Sequence, residues 1–288
     1  MSTRAPAPRG QIDSPGNDRL KRVRRLRRAR ERDREQAFVI EGYRELARAV
    51  DAGITLVELF VCPRHWTGRN EQALVDGIAG DAVIVSALSA RAFAAIATQD
   101  RPDGLVAIAR RPDLSLARQP AVVSDSLFVV AQGVERPGNL GTIVRACVAA
   151  DVSGLILCDP QVDAFHPDVV RASVGTLFSL PLSSVTTSAF AGWARANRVR
   201  VTVTTPQAER YYWQADVLGP SALVVGSEKR GVDAAMLAAA DERVRIPMSD
   251  RIDSVNVAVA TSVVVFDAVR ARRQAGGQGG TAPPARRP

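Results

Sequence analysis

Apolar and polar positions follow two rhythms along the chain. Short apolar runs, AFVIEG, TLVELFVC, AVIVS and GLVAIAR, read as strands. Between them, apolar residues recur three and four apart, which reads as helix. YRELARAVDAG is one such segment, ended by Gly53; others lie near Glu71–Ile78 and Ala90–Ala97. Upstream, RLKRVRRLRRARERDREQ carries Leu20, Val23 and Leu26 as a thin apolar stripe and is predicted as one helix. Alternating α and β from about Asp18 to Arg111 implies a small layered sheet.

A second block repeats the alternation with LFVVAQ, GLILC, VRVTVTT, ALVVG and RVRIP as strands and a closing helix from about Ser254 to Arg272. GLILC and ALVVG are nearly all apolar, as a parallel sheet covered on both faces requires. The predicted organisation is a disordered arm over 1–17, an N-terminal domain over 18–112, a linker over 113–120 around ARQP, a parallel-sheet domain over 121–273 and a disordered tail over 274–288.

Composition narrows the class. With 288 residues and 46% hydrophobic content, the chain can bury one or two cores and is not a disordered protein. No apolar run reaches the roughly 18 residues of a membrane span, and the N-terminus lacks the apolar core of a signal peptide, so a cytoplasmic location is expected. Cys62, Cys147 and Cys158 each lie in an apolar run and read as buried small hydrophobes. His65 and His166 have no partners at metal-ligand spacing, so no metal is expected.

Charge changes the picture more. The net charge is +8, which points to a polyanionic partner, nucleic acid first. Ten of the sixteen residues from Arg19 to Arg34 are basic. Arg19, Lys21, Arg22, Arg24, Arg25 and Arg28 are the candidates to hold RNA phosphates. The competing reading is a solvated basic face, since Glu31, Asp33 and Glu35 offset part of the charge.

Ligands of parallel α/β sheets bind at the carboxyl ends of strands. Three loops there carry unusual residues. In VERPGNLGTIVR, Asn139 can cap the following helix, Gly141 permits close approach, and Arg145 lies within the helix. An ordinary capped helix with a solvated arginine would look the same. GSEKRG sets Glu228 between Gly226 and Gly231, as either a ligand-approaching loop or a surface turn with an ion pair. In SDRIDSVNVAVATS, Ser254 is a plausible N-cap and Asn256 sits in the first turn; each is a cap or a site residue.

Taken together, the three loops resemble the SpoU (TrmH) family of RNA ribose 2′-O-methyltransferases, within the knotted SPOUT superfamily. Asn139, Gly141 and Arg145 match its Asn-x-Gly-x-x-x-Arg motif. LVVGSEKRG matches the second motif, and IPMSDRIDSVNVAVA the third. VRASVGTLFSLP, between the first two, also matches a family segment. The basic helix, the phrase FVIEG and a helix ending in AG before LxxLFV resemble an N-terminal RNA-binding domain of the ribosomal-protein kind. The two-domain form is similar to the ribosomal-RNA methyltransferases with which antibiotic-producing actinomycetes protect their ribosomes, including the avilamycin-resistance type. Asp250 departs from the pattern, because the family usually has glycine there.

The resemblance implies an α/β fold with a C-terminal trefoil knot, S-adenosylmethionine as cofactor, a homodimer, and methylation of a ribose 2′-hydroxyl in 23S ribosomal RNA, with antibiotic resistance as a consequence. It implies cofactor contacts from Gly226, Ser227, Glu228, Ile246, Met248, Val255 and Arg171. It gives Arg145, Asn139, Glu228, Ser254 and Asn256 the chemistry. Because a guanidinium is hard to deprotonate, Arg145 reads better as a cation clamping phosphate and developing negative charge than as a base. The alternatives are a tRNA ribose methyltransferase and a catalytically silent RNA-binding protein. A base methyltransferase using Cys147 is disfavoured by that residue's apolar surroundings. A Rossmann dehydrogenase is disfavoured by the missing glycine fingerprint.

Overall fold

The computed structural model describes residues 11–78 and 83–276. The arm's first ten residues, Ala82 at the head of AVIVS, and the tail from 277 lie outside the described residues. The chain divides into two compact units, one of residues 1–113 and 162–179, the other of 114–161 and 180–288.

Unit 1 is a mixed five-stranded sheet in the order β1-β4-β3-β5-β2. Its strands are β1 (Gln11–Ile12), β2 (Ala37–Glu41), β3 (Leu56–Val61), β4 (Ile84–Leu88) and β5 (Leu105–Arg110). β1 pairs parallel to β4, so this part of the arm expected to be disordered is an ordered edge strand. The basic segment forms two helices, α1 (Asp18–Arg25) and α2 (Ala29–Glu35), where one was expected. Leu20, Val23 and Leu26 are fully buried against Phe60, Phe93 and Ile108. Arg32 explains the break between the helices. Only 1% exposed, it donates to the carbonyls of Leu26 and Arg27 at 3.1 and 2.7 Å and pairs with Asp163 at 2.6 Å. Those carbonyls end α1 on a side chain rather than continuing the helix. Helices α3 (Tyr43–Asp51), α4 (Asn70–Ile78) and α5 (Ala90–Ala94) follow their predicted segments.

Unit 2 is a seven-stranded sheet, parallel throughout, in the order β10-β12-β9-β11-β6-β7-β8. The strands are β6 (Leu127–Gln132), β7 (Gly154–Cys158), β8 (Leu182–Val185), β9 (Arg200–Thr204), β10 (Arg210–Tyr211), β11 (Ser221–Val225) and β12 (Glu242–Arg245). Helices α6 (Pro137–Ala149), α8 (Thr187–Ala196), α9 (Ala234–Ala239) and α10 (Val257–Ala275) surround it. Phe128, Val130 and Val224 pack with Phe190 of α8 and Met236 of α9. Side chains alternate along a strand, so the intervening residues serve the other face; there Leu223 meets Val264 and Ala268 of α10. This two-sided burial is why the strands lack polar alternation. The expected linker is part of this unit. Gln119 is buried and donates to Ser183 Oγ at 2.9 Å, and Leu114 O accepts from Ser184 N.

Residues 162–179 complete unit 1 with helix α7 (Pro167–Ala172). His166 caps α7, its Nδ1 accepting from Asp168 N at 3.1 Å. Only an imidazole unprotonated at Nδ1 can accept. Burial first, then the Arg32 guanidinium, holds the His166 pKa below its usual value, against the opposing pull of Asp168 and Asp163. The folded chain therefore binds fewer protons here than the unfolded chain. The cap's contribution is complete above the unfolded value and is lost as pH falls below it. His166→Asn keeps a cap that does not titrate. Between about pH 7.5 and 5.5, the urea midpoint of the natural chain should fall further than that of His166→Asn. Equal falls would contradict this assignment.

Candidate active site

The loops after the neighbouring strands β6 and β11 meet the segment that leads into α10. Pro137 takes the first position of α6, where its missing N–H is harmless and its fixed φ suits the helix. Arg136 is therefore the N-cap, and Asn139 is not the cap the sequence suggested. Its side chain is free for another task. Asn139 Nδ2 donates to Glu228 Oε1. Asn256 Nδ2 donates to Asn139 Oδ1 at 3.0 Å. Asn256 Oδ1 also accepts from Ala258 N at 2.9 Å and Val259 N at 3.4 Å, which makes Asn256, not Ser254, the cap of α10. One polar chain, Asn256–Asn139–Glu228, thus joins three loops far apart in sequence.

Its last atom faces the question of a missing donor. Glu228 Oε2 is buried with no hydrogen-bond partner among the described residues. Such an atom costs about 1–3 kcal/mol if nothing pairs with it, so it marks a place where a donor is expected to arrive.

The loop carrying Glu228 is a tight turn. Ser227 N and Gly231 O, and Gly231 N and Ser227 O, pair at 3.0 Å each, and Gly231 has φ of 64°. Lys229 reaches Glu135 at 3.3 Å, the surface ion pair allowed for in the alternative reading. Gly226 is needed for space: a Cβ there would overlap the Gly231 carbonyl and the Val232 nitrogen.

Beside this turn lies a cavity of about 480 Å³. Gly226, Ser227, Glu228, Ile246, Met248 and Val255, all named from sequence as cofactor contacts, line it, and Ser254 stands exposed at its edge. Thr204, the last residue of β9, and residues 205–207 after it line it too and were missed. Their position at the carboxyl end of VRVTVTT was the available signal. The mix of half-buried apolar side chains and the tight Gly226–Gly231 backbone suits a ligand with one flat apolar end and one polar end. Asp250 has no left-handed φ, so this loop turns without the family's glycine. A polar hollow of about 640 Å³ at the amino ends of β9 and β11 receives none of the three motifs.

Two expected residues are not gathered here. Arg145 is exposed, and its guanidinium has no partner among the described residues. Six residues at about 100° each turn it roughly 120° around α6 from Asn139. Arg171 lies in unit 1, paired with Asp168 at 2.7 Å, and does not line the cavity. Burial pushes the Cys147 thiol up to about 12, so it is no nucleophile. Among the described residues no cluster fits a metal ion, and no helix is long and apolar enough to cross a membrane.

The basic segment sorts into two sets. Arg19 pairs with Glu58, Arg22 with Glu35 at 2.7 Å, and Lys21 with Asp18 at 2.8 Å. Arg27 donates to the Ile96 carbonyl. The guanidinium groups of Arg24, Arg25, Arg28 and Arg30 have no hydrogen bond or ion pair among the described residues, and all but the half-buried Arg24 are exposed.

Comparison with known proteins agrees with this geometry. Residues 126–266 match the SpoU rRNA Methylase family, and residues 17–107 match an MRM3-like substrate binding domain. A crystal structure of an AdoMet-bound rRNA methyltransferase from Sinorhizobium meliloti is 30% identical, with a TM-score of 0.83, over 91% of this chain and 98% of that one. The chain belongs to the SpoU rRNA methylase family. This SpoU protein is also 28% identical to the 23S rRNA (guanosine(2553)-2′-O)-methyltransferase RlmP of Bacillus subtilis, over 89% of this chain and 98% of that protein. The SpoU methyltransferase AviRb from Streptomyces viridochromogenes, solved with AdoMet, is 27% identical with a TM-score of 0.81, over 90% of this chain and all of that one.

Proposed function

We propose that this SpoU protein transfers a methyl group from S-adenosylmethionine to a ribose 2′-hydroxyl of 23S ribosomal RNA. The observation that carries the reading is the Asn256–Asn139–Glu228 chain at the rim of the cavity, ending in a buried carboxylate oxygen without a donor. The relatives' substrates and bound cofactor support it.

The cofactor supplies an electrophilic methyl on a sulfonium: a C–O bond forms, the C–S bond breaks, and its electron pair stays on sulfur. Gly226, Ile246, Met248 and Val255 would hold it, since all four line the cavity and the last three give it half-buried apolar surface. The protein's other groups act on the ribose. Glu228 Oε2 accepts the 2′-hydroxyl hydrogen and aims the oxygen. Asn139 fixes Glu228, Asn256 fixes Asn139, and Ser254 positions the nucleotide from the cavity edge. Arg145 supplies positive charge to the neighbouring phosphate and to the developing alkoxide, and the released proton passes to water.

Because Arg145 turns away from its own chain's triad, we infer that it acts across a homodimer. Exposed Val259 (53%) and Phe266 (47%) on α10, the helix packed against α6, form an apolar stripe that suits a second copy. The trefoil knot belongs to this reading too: the cavity is lined by both the 226–232 turn and the 246–257 segment, which a knot would press together. With ribosomal RNA as substrate, the cytoplasm is the expected compartment. Protection against a ribosome-targeting antibiotic follows where the methylated nucleotide lies in a drug site.

The test is methyl transfer from labelled S-adenosylmethionine to protein-free 23S rRNA and, separately, to bulk tRNA. Labelled 23S rRNA with unlabelled tRNA is expected. Label in tRNA alone would favour the tRNA reading, and binding without transfer would favour a silent RNA-binding protein.

Unit 1 holds the RNA. The unpaired set Arg24, Arg25, Arg28 and Arg30 should make the phosphate contacts. Replacing all four with glutamine should flatten the log–log salt dependence of 23S rRNA binding by about 3, at roughly 0.7–0.9 per phosphate. Replacing Arg19 and Lys21 should change it far less. Equal effects of the two sets would contradict the assignment.

A further inference from the structure

The edge of the unit 2 sheet carries an aromatic group that the proposed chemistry does not use. β10 lies alongside β12 with Tyr211 level with Arg245. The Tyr211 and Trp213 rings stack at 4.7 Å between centroids, 20° apart. The Arg245 guanidinium sits over the Tyr211 ring at 5.0 Å. Tyr212 meets Trp213 edge-on at 5.0 Å. The result is a ladder of Arg245, Tyr211 and Trp213. Trp213 is nevertheless 48% exposed.

Three features make this more than a stray surface aromatic. The indole is held on two sides by other rings, so a flat partner could stack without ordering it first. Arg245 Nε is buried and has no partner among the described residues, so the ladder includes a cation that no carboxylate neutralises. The position is also informative. Arg245 is followed directly by Ile246, and Gln207 stands three residues before Arg210; Ile246 and Gln207 both line the cavity at the proposed site. Both strands that build the ladder are thus tied to the cavity rim.

Aromatic rings beside arginine, on strands that join the cavity proposed for the cofactor, match the chemistry of an unpaired nucleobase, whose flat face stacks whatever its sequence. We propose that Trp213, backed by Tyr211 and Arg245, is a stacking subsite for an unpaired base of the RNA, near the nucleotide whose ribose is methylated. The inference rests on the RNA methyltransferase reading and adds a residue that selects substrates with an unpaired base there. Trp213 is a binding residue and takes no part in the transfer itself.

The test titrates the full-length protein with a short oligoadenylate and with an abasic ribose-phosphate oligomer of the same length. Trp213→Ala should weaken oligoadenylate binding by about 5- to 100-fold, and Trp213→Phe, which keeps a stacking ring, should lose far less. Abasic binding should be the same for all three proteins. S-adenosylmethionine affinity, read on the same samples, should not change. Unchanged oligoadenylate binding by Trp213→Ala overturns the proposal. So does equal weakening toward both oligomers, or a parallel fall in cofactor affinity, since either would make Trp213 structural. A preference of the exposed ring for apolar peptide would appear as the first of these results. Should the natural protein methylate no 23S rRNA while Trp213→Ala still loses base-dependent binding, the subsite stands and the catalytic reading falls.

Discussion

Arg145→Ala is expected to lower methyl transfer about 10²–10³-fold, the usual effect of removing one electrostatic donor from a developing oxyanion. Cofactor affinity should stay within a few-fold, because Arg145 does not line the cavity. A neutral ribose hydroxyl is a poor nucleophile, and the barrier falls only if charge is stabilised as it develops. Within one chain, the triad offers a carboxylate and two amides, none of them a cation. Arg145 is the group from the same motif that brings positive charge, and its guanidinium has no competing partner among the described residues. Its turn away from Asn139 gives a second readout. Mixed with Asn139→Ala protein under subunit exchange, Arg145→Ala should regain activity, because a mixed dimer holds one complete site built from both chains. Near-normal turnover by Arg145→Ala alone would contradict its role. A lack of rescue on mixing would contradict action across the dimer.

Gly226→Ala is expected to reduce cofactor affinity by at least about fivefold, as overpacking costs of about 1–3 kcal/mol imply. The reason is local and steric. The new methyl would collide with backbone on the far side of the turn, at Gly231 and Val232, and backbone cannot swing aside as a flexible side chain would. The Ser227–Gly231 bridge would open, Glu228 would move, and Asn139 would lose its acceptor. Transfer should therefore fall with affinity, unlike the Arg145 variant, where the two separate. Gly231→Ala is a useful contrast. Nothing crowds that position, but its φ of 64° disfavours a side chain, so a smaller loss is expected. Titration calorimetry with S-adenosylmethionine measures both. Full affinity in Gly226→Ala would show that the turn tolerates opening.

Much of this was legible in the chain, for reasons that differ by element. LFVVAQ, GLILC and ALVVG announce a covered parallel sheet because burial on both faces removes polar alternation. The three loops were legible because unusual residues at strand ends have few structural reasons to be there. The caps were misread because capping depends on neighbours: Pro137 starts α6 early and frees Asn139, and Asn256 serves as cap and link at once. The break between α1 and α2 was hidden because it depends on Arg32 and on Asp163, which is distant in sequence. The same holds for the division of basic residues into paired and unpaired sets, since their acidic partners include Glu58 from strand β3, distant in sequence. Residues 114–120 look like a linker by composition, yet Gln119 finds buried partners across β7 and β8.

The central claim is that the methyl group goes to a ribose oxygen and not to a base. A methylated 2′-oxygen cannot attack the adjoining phosphate, so alkali leaves that one phosphodiester intact. After transfer of labelled methyl to 23S rRNA and complete alkaline hydrolysis, the label should be recovered in dinucleotides. Label recovered in mononucleotides would place the methyl on a base and contradict the account.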